Sequence, residues 1–255
     1  MENKVIIVTG GSGGIGLATA KKFLENGGIV YLADINEERL KTAVEDLSQY
    51  GTVKYVVTNV TKASECENLI QSVAKDAGKI DVVVNGAGVW VEGPSETMTE
   101  EMWDRTIDVN LKGTFFVCSR AIPELEKTKG CIVNVNSDAG IGGNPENCIY
   151  NASKGGVSLV TQSLGLELAP KQIRVNSVCP CDVDTPMLQG QARDYGNGDP
   201  EGYIKKLVSN YPAKENARVI KPEEVAEAVY FLASDKCPAI TAQNISLDWG
   251  LNSGY

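Results

Sequence analysis

The chain of 255 residues carries a formal charge of −9, and 42% of its residues are hydrophobic while 22% are charged. That composition is typical of a globular protein long enough to bury a sizeable core. The acidic balance argues against nucleic-acid binding, because phosphate contacts need clustered lysine and arginine. The chain has no histidine, so acid–base catalysis must use other side chains and histidine-ligated metal sites are excluded.

Hydropathy and cysteine usage predict the cellular setting. No run approaches the roughly 20 apolar residues of a membrane span, and the first predicted strand begins without an export signal. An odd number of scattered cysteines predicts reduced thiols rather than a disulfide framework. We therefore expect a cytoplasmic protein with no metal and no membrane partner. The cysteines are Cys66, Cys118, Cys131, Cys148, Cys179, Cys181 and Cys237.

Short β-branched runs alternate with helical patterns along the whole chain. They are almost continuously apolar, as expected for strands covered on both faces. The alternation predicts one α/β domain over residues 1–255, a Rossmann-type doubly wound parallel sheet of about seven strands with helices on both faces. The predicted strands are Lys4–Thr9, Ile29–Ala33, Val53–Thr58, Ile80–Asn85, Cys131–Asn136, Ile173–Val178 and Asn244–Asp248, and the predicted helices are 14–26, 36–48, 64–77, 100–127, 150–169 and 222–233.

One segment departs from this alternation. Residues 182–221 are rich in proline and glycine, with a short helical stretch around Glu201–Ser209. A long insertion of this kind is usually a lid or a binding loop. We expect it to be a mobile substrate flap.

A glycine-rich turn follows the first predicted strand and leads directly into a predicted helix. It contains Gly10, Ser12, Gly13, Gly14, Ile15 and Gly16. Glycines at such a turn let the backbone approach a pyrophosphate held at the helix N-terminus. The turn predicts a nucleotide site.

Asp34 ends the second predicted strand, 18 residues after Gly16, and Ile35 follows it. A carboxylate there accepts hydrogen bonds from the adenosine ribose and repels the 2′-phosphate of NADP. No arginine or lysine lies in the glycine turn to offset that repulsion, so NAD is favoured over NADP. Asp34 also fits an N-cap of the helix that follows.

Tyr150 and Lys154 lie four residues apart, which places both side chains on one helical face. A free phenol has a pKa of about 10, and a neighbouring ammonium favours its ionised form. Ser137 ends a β-rich run thirteen residues upstream. The three predict an acid–base centre, although a tyrosine–lysine pair at this spacing also occurs by chance on helix surfaces.

These motifs together resemble the classical short-chain dehydrogenases/reductases along the whole chain. The resemblance rests on Thr9-Gly-x-x-x-Gly14-Ile15-Gly16, Asn85-Gly86-Ala87-Gly88, Asn110, Ser137 and Tyr150-x-x-x-Lys154.

The resemblance implies hydride transfer between NAD and a secondary alcohol or ketone. It makes Tyr150 the acid or base, Lys154 the group that lowers its pKa and holds the nicotinamide ribose, and Ser137 the residue that fixes the substrate oxygen. Asn110 would hold a water of a proton relay, although it could also simply interrupt a helix and bond to backbone. The implied cofactor contacts are Gly10, Ser12, Gly13, Gly14, Ile15, Gly16, Asp34, Ile35, Asn59, Val60, Asn85, Ala87, Gly88, Tyr150, Lys154, Pro180, Val183 and Thr185.

Three positions depart from the family pattern. Asn59 replaces the usual aspartate beside the adenine, and Gly86 replaces a second asparagine. Cys181 replaces the glycine after Pro180 that lets the chain pass the nicotinamide. We interpret Cys181 either as a tolerated small residue or as a thiol that contacts nicotinamide or substrate. Asp138, beside Ser137, is interpreted as a turn or pocket-rim residue.

The implied substrate residues are Trp90, Ser137, Tyr150, Cys181 and Met187. Apolar and aromatic residues around them favour a hydroxysteroid or bile acid. Glu92, Asp182, Asp184 and Asn144 instead suit a sugar alcohol or small diol. A 3-oxoacyl-carrier-protein reductase and a non-catalytic nucleotide sensor are further alternatives. The family is commonly tetrameric, which predicts a homotetramer packed through the helices at 100–127 and 150–169.

Overall fold

The computed structural model describes residues 1–236 and 238–253. Its strands form one sheet in the order β3-β2-β1-β4-β5-β6-β7, and every adjacent pair is parallel. The predicted doubly wound parallel sheet is confirmed. The strands are β1 (Val5–Thr9), β2 (Ile29–Asp34), β3 (Val53–Val57), β4 (Val82–Asn85), β5 (Cys131–Val135), β6 (Arg174–Pro180) and β7 (Asn244–Leu247).

Helices cover both faces of this sheet. A parallel strand pair needs a crossover connection, and right-handed crossovers place helices on opposite faces where the strand order reverses between β1 and β4. The helices are α1 (Gly14–Glu25), α2 (Glu37–Leu47), α3 (Ala63–Ala77), α4 (Glu100–Ile107), α5 (Thr114–Thr128), α6 (Cys148–Leu168), α7 (Pro186–Tyr195), α8 (Pro200–Ser209) and α9 (Pro222–Ala233).

Two apolar cores hold the helices to the sheet. One contains Phe23 of α1 and Val229 of α9, and the other contains Leu69 of α3, Val117 of α5 and Leu168 of α6. All five side chains are at most 1% exposed. Each such burial contributes about 1.5–3 kcal/mol. The two cores fix the carboxyl ends of the strands, where the candidate site residues lie.

The predicted helix at 100–127 is interrupted. A π-helical segment, Asp108–Gly113, separates α4 from α5. Within it the Asn110 side chain bonds to the backbone of Val89. A Cβ on Gly113 would lie 2.8 Å from Cγ2 of Val60, so the segment packs closely against the loop after β3. These contacts widen the helix at a point that helical periodicity alone does not reveal.

The segment 182–221 is more ordered than its composition predicted. It contains the predicted short helix as α8, but also α7, which was not predicted. Pro186 occupies the first turn of α7, where its missing N–H costs nothing, and the Thr185 hydroxyl accepts from the N–H of Leu188. A parallel bridge between Val183 and Ile220 joins the two ends of the segment.

The described cysteines are all free thiols, and among them Cys148 is exposed. Cys237 lies outside the described residues. No helix in the described part of the chain is long and apolar enough to cross a membrane.

Candidate active site

The glycine turn joins β1 to α1 at the edge of the sheet where the strand order reverses. In open α/β sheets this crevice is where ligands bind. Gly10 has a φ of +63°, and a Cβ there would lie 2.5 Å from the carbonyl oxygen of Gly86. A Cβ on Gly16 would lie 2.2 Å from the oxygen of Gly10. The backbone conformation therefore requires glycine at both positions.

The N-terminus of α1 suits an anionic group. Gly13 is its N-cap, and no side chain of the described residues caps it. Its first N–H groups are thus available to a pyrophosphate, which the helix dipole also favours. Ile15 lines the adjoining cavity. The turn fits the predicted nicotinamide dinucleotide.

Asp34 ends β2 beside the glycine turn. Its carboxylate accepts from the Ser12 hydroxyl at 2.7 Å and from the N–H of Asn36 at 3.3 Å. The interpretation of Asp34 as an N-cap is wrong. Asn36 caps α2, because its side chain accepts from the N–H of Arg39 at 3.0 Å. Ile35 is 65% exposed beside this carboxylate.

Arg39 is a cation that the motif analysis missed. Its guanidinium donates to the carbonyl oxygen of Ser12 at 2.9 Å, although it belongs to α2 and not to the glycine turn. The ribose end of the crevice therefore holds both the Asp34 carboxylate and one guanidinium.

The side chains of Asn59 and Asn85 bond within the protein. Asn59 Oδ1 accepts from the N–H and the hydroxyl of Thr61 at 3.1 and 2.8 Å. Asn85 Nδ2 donates to Asn134 Oδ1 at 2.9 Å in the buried interior. Val60, in the loop after β3, is buried against Gly113 of the π-helical segment. The two asparagines shape the loops that border the crevice.

The loop after β4 brings backbone to the site. The Thr9 hydroxyl accepts from the N–H groups of Gly86 and Ala87 at 3.1 and 3.3 Å. A Cβ on Gly88 would lie 3.9 Å from Nζ of Lys154. The predicted cofactor loop and the predicted catalytic lysine are thus adjacent.

Lys154 lies on α6 with its ammonium below the protein surface. It is 6% exposed and donates to the carbonyl oxygen of Val135 at 3.0 Å. Burial lowers its pKa to about 8. Its Nζ lies 5.7 Å from the centre of the Tyr150 ring. The two residues therefore face one another, as their spacing predicts.

Tyr150 stands at the wall of the catalytic cavity. Burial raises the pKa of its phenol, the Ser137 hydroxyl lowers it, and the carboxylates of Asp138 and Asp182 raise it further. The phenol therefore starts as a proton donor at neutral pH. Burial is the largest influence on this pKa, and its lowering by Lys154, which the resemblance implies, stays a prediction.

Asn110 has the contacts of the second alternative, a residue that interrupts a helix and bonds to backbone, and its role in a proton relay stays a prediction. It interrupts the helix, and its side chain accepts from Val89 N–H at 2.8 Å and donates to the Val89 carbonyl oxygen at 2.9 Å. Its Nδ2 also lies 3.0 Å from the Ser153 hydroxyl, which donates to the carbonyl oxygen of Tyr150. Asn110 thereby ties the π-helical segment to the first turns of α6, where Tyr150 is held.

Ser137 lies directly after β5, and its hydroxyl is hydrogen-bonded to its neighbours. Its Oγ donates to Asp138 Oδ1 at 2.8 Å and accepts from the N–H of Ala139 at 3.2 Å. Burial raises the pKa of Asp138. Asp138 thus contacts the predicted catalytic serine, a role that its interpretation as a rim residue missed.

The catalytic cavity has a volume of about 470 Å³. Trp90 and Met187 form part of its apolar wall, and the Trp90 ring packs edge-on against Tyr195 at 5.2 Å. Pro180, Val183 and Thr185 continue that wall beside the glycine turn. The cavity therefore joins the predicted nicotinamide contacts to the predicted substrate contacts.

Cys181 lines this cavity but is 8% exposed and belongs to the apolar core. Burial raises the pKa of its thiol to about 12, so the reactive thiolate is scarce at neutral pH. Tyr211, which is fully buried, donates to the carboxylate of Asp182. The burial of Cys181 in the apolar core and the raised pKa of its thiol favour a packing role over a reactive one.

Helices α7 and α8 are held over the cavity by one carboxylate. Gln191 and Tyr203 each donate to Oε2 of Glu92 at 3.4 Å, and Tyr195 donates to its carbonyl oxygen at 3.2 Å. Asp184 is exposed and bonds to Gln189 outside the cavity. The segment covers the substrate side through Glu92, which the sequence could not pair with α7 or α8.

A family model described as enoyl-(acyl carrier protein) reductase matches residues 10–252. The chain belongs to the short-chain dehydrogenase/reductase family. It is 40% identical over 253 residues to a 3-oxoacyl-acyl-carrier-protein reductase of Thermotoga maritima, covering 98% of each chain. It is 36% identical to a meso-2,3-butanediol dehydrogenase of Serratia marcescens (98% of this chain, 94% of the relative) and 34% identical to a 3alpha-hydroxysteroid dehydrogenase of Mediterraneibacter gnavus (99% and 98%).

A solved actinorhodin polyketide ketoreductase with NADPH has the same fold, with a TM-score of 0.92, 33% identity and 98% coverage of both chains. This short-chain dehydrogenase/reductase is therefore an oxidoreductase acting on alcohol and carbonyl groups, from a family that binds nicotinamide cofactors. The predicted serine and tyrosine line the cavity, the predicted lysine faces the tyrosine, and Ile15 of the glycine turn lines the same cavity.

Proposed function

We propose that this chain is an NAD-dependent dehydrogenase that interconverts a secondary alcohol and a ketone, with Tyr150 as acid and base. The observation that carries the proposal is the position of Tyr150. It lines the same cavity as Ser137, it faces Lys154, and the cavity reaches the glycine turn through Ile15.

The glycine turn, Asp34, Lys154 and the Pro180–Thr185 segment would hold the dinucleotide. When bound, it supplies or accepts the hydride. The protein does the rest. In ketone reduction, Tyr150 gives its proton to the substrate oxygen, and in alcohol oxidation the phenolate takes that proton back. Ser137 holds the oxygen beside Tyr150, a positioning effect.

The preference for NAD rests on charge at the ribose end of the crevice. The Asp34 carboxylate repels a 2′-phosphate and accepts from ribose hydroxyls. Arg39 acts in the opposite sense, but its guanidinium is already bonded to the Ser12 carbonyl oxygen. We therefore assign NAD as the preferred cofactor.

Among secondary alcohols, the cavity favours one that carries a further hydrogen-bond donor. Asp138, Asp182 and Glu92 all line it, and burial raises the pKa of each carboxyl group. Each carboxylate already accepts from at least one protein donor, and a polar substrate hydroxyl can add a further hydrogen bond. A bare hydrocarbon would desolvate the carboxylates further without adding one. A small diol or a sugar alcohol meets this demand.

A hydroxysteroid or bile acid is the second candidate. Trp90, Met187 and Leu251 give the cavity an apolar wall against which fused rings can pack. One relative carries a 3alpha-hydroxysteroid dehydrogenase name. In a panel of diols, polyols, steroids and bile acids read by NADH fluorescence, the diol proposal expects the highest kcat/KM for a diol or polyol. A steroid or bile acid ranking first would replace it.

A 3-oxoacyl-carrier-protein reductase fits less well. Such an enzyme docks an acidic carrier protein, and this chain carries a formal charge of −9, so like charges would oppose the encounter. A non-catalytic sensor would be expected to lack the serine, tyrosine or lysine. All three are present and adjacent to the cavity.

We also propose a homotetramer assembled through α4, α5 and α6. Apolar side chains on these helices are exposed: Trp103 at 47%, Phe115 at 41%, Leu159 at 65% and Leu166 at 73%. Subunit contacts would remove them from water. Light scattering on the purified chain measures this, and a monomeric mass would overturn it.

Replacing Tyr150 with phenylalanine tests the catalytic proposal. Tyr150→Phe removes only the phenolic oxygen, so we expect a loss of turnover of at least about 10³-fold while NADH binding stays within a few-fold. Tyr55→Phe is the matched control, because that exposed hydroxyl bonds Glu37 far from the cavity. Comparable turnover in the two variants would refute Tyr150 as the acid.

A further inference from the structure

The hydroxyl of Ser137 carries a single proton, and in this structure that proton is already used. Oγ donates to Asp138 Oδ1 at 2.8 Å. It also accepts from the N–H of Ala139 at 3.2 Å. A hydroxyl has one donor, so Ser137 cannot donate to Asp138 and to a substrate oxygen at the same time.

The proposed role of Ser137 depends on this proton. A ketone oxygen only accepts hydrogen bonds, and negative charge grows on it as hydride arrives. A donor aimed at that oxygen stabilises the transition state. An ionised Asp138 therefore withdraws the Ser137 proton from the reacting oxygen and adds a negative charge nearby. A protonated Asp138 donates to Oγ instead and frees the serine proton.

We propose that Asp138 is a positioning residue whose protonation sets the direction of the Ser137 hydroxyl, so that the site is most active when Asp138 carries a proton. The proposal rests on the proposed function, in which Tyr150 and Ser137 share the substrate oxygen. It goes beyond that function by assigning control of the oxygen site to a third side chain.

The turn that carries Asp138 is held in place from two directions. Asn144 Nδ2 donates to Asp138 Oδ2 at 3.4 Å. Asn252 Nδ2, from the segment after β7, donates to the Asp138 carbonyl oxygen at 3.2 Å. The carboxylate is therefore fixed beside Oγ by contacts that do not depend on the serine. This separates its orientation from the state of the hydroxyl.

Weak acids dominate the surroundings of Asp138. Burial raises the pKa of its carboxyl group, and the nearby Asp248 carboxylate raises it further, while hydrogen bonds from Ser137, Ala139 and Asn144 lower it. The neutral form therefore persists to higher pH than in a free aspartate, with its pKa of about 3.9. Titratable groups from other elements that interact with Asp138 are Cys179, Cys181 and Asp182 of β6 and its end, Asp248 after β7 and Tyr150 of α6. Lys206 of α8 lines the same cavity.

The test measures kcat/KM for the best ketone of the substrate panel in Asp138→Asn and in the wild type between pH 5 and 9. The quantity compared is the value for Asp138→Asn divided by the value for the wild type at the same pH. Asparagine resembles the protonated acid, because its Nδ2 can donate to Ser137 Oγ at any pH. We expect this ratio to approach one as the pH falls through the pKa of Asp138 and to reach about tenfold once Asp138 is ionised, a partial form of the loss seen when one oxyanion donor is removed. The Asp138 carboxylate also raises the pKa of Tyr150, so the Tyr150 titration is measured separately in each protein and the two profiles are compared below both pKa values.

A ratio that stays at or below one at high pH, or that falls as the pH rises, would overturn the proposal. Asp194→Asn removes an equal charge from the exposed end of α7 and should keep the wild-type profile. If Asp138→Asn folds poorly, as judged by its thermal midpoint, Asp138→Ser gives the same test with a carboxylate-free side chain. Activity that survives Tyr150→Phe would instead reject the proposed function, so the two failures are distinguishable.

Discussion

The two ends of the catalytic cavity are built from different parts of the chain. At the cofactor end, backbone lies against backbone, and a Cβ on Gly10 or Gly16 would come within 2.5 or 2.2 Å of a carbonyl oxygen. At the substrate end, side chains from distant segments meet, as where Glu92 bonds Gln191 of α7 and Tyr203 of α8. One end is specified by the absence of side chains and the other by their identity.

This difference explains what each end can accommodate. Backbone packing at the glycine turn allows almost no substitution, so it can hold a constant group such as a dinucleotide. The substrate end is made of replaceable side chains on loops and on α7 and α8, and binding residues on loops vary without loss of the scaffold. The acidic residues that line the cavity, Asp138, Asp182 and Glu92, belong to this replaceable substrate end.

Adding one methyl group to the glycine turn should break the cofactor end. In Gly16→Ala the new Cβ would lie 2.2 Å from the oxygen of Gly10, so the turn must shift. We expect a loss of about 3 kcal/mol in the free energy of unfolding, at the upper end of overpacking costs, together with loss of NADH binding. Urea denaturation and fluorescence titration measure both.

Gly155→Ala is the matched control for that substitution. Gly155 lies inside α6, and a Cβ there has no described atom within 4 Å. Alanine should stabilise the helix by up to about 1 kcal/mol through its higher helix propensity. Equal effects of the two alanines would mean that the turn is not closely packed.

The glycine turn at the cofactor end could be predicted from the sequence, because its signal is local, whereas the position of Arg39 could not. Glycines that follow an apolar strand and precede a helix lie within a few residues of each other. The strands were equally clear, since strands buried on both faces appear as apolar runs. The observed and predicted ends of each strand differ by two residues or fewer, as for β4, which is Val82–Asn85 in the structure and Ile80–Asn85 in the prediction.

The substrate end could be predicted only in part. Proline and glycine hid α7, although Pro186 begins it. The hydrogen bond from Tyr211 to Asp182 joins residues 29 apart, and the Glu92 contacts join residues about 100 apart. No periodicity or motif encodes such pairs. Asp138 was visible beside Ser137, but its hydrogen bond to the serine depends on the turn after β5.

Lys154 stands between the two ends, and its burial should appear in the stability of the protein. Its pKa is lowered to about 8 when folded, against about 10.4 unfolded. The unfolded chain therefore binds more protons between these values, and stability rises with pH there. The cost of the buried charge is fully present below pH 8 and disappears as pH approaches 10, a change of about 3 kcal/mol.

Lys154→Met removes this titration. The difference in free energy of unfolding between variant and wild type should shrink by about 3 kcal/mol from pH 7.5 to 10.5. Lys171→Met, at an exposed lysine paired with Glu126, should show no such trend. Urea denaturation at four pH values measures it. Parallel pH profiles for wild type and Lys154→Met would mean that the lysine is solvated in the native protein.

The smallest expected effect concerns Asp34, the carboxylate on which the proposed preference for NAD rests. Asp34→Ser keeps an acceptor for the ribose but removes the charge that repels a 2′-phosphate. The ratio of kcat/KM with NADPH to that with NADH should rise about tenfold, which corresponds to about 1.4 kcal/mol. Arg39→Ala is the opposing control, since losing the guanidinium should lower NADPH use and leave NADH use nearly unchanged. If Asp34→Ser leaves the ratio unchanged while Arg39→Ala lowers it, the arginine rather than the carboxylate sets the cofactor preference. The cofactor end would then depend on side-chain identity, as the substrate end does.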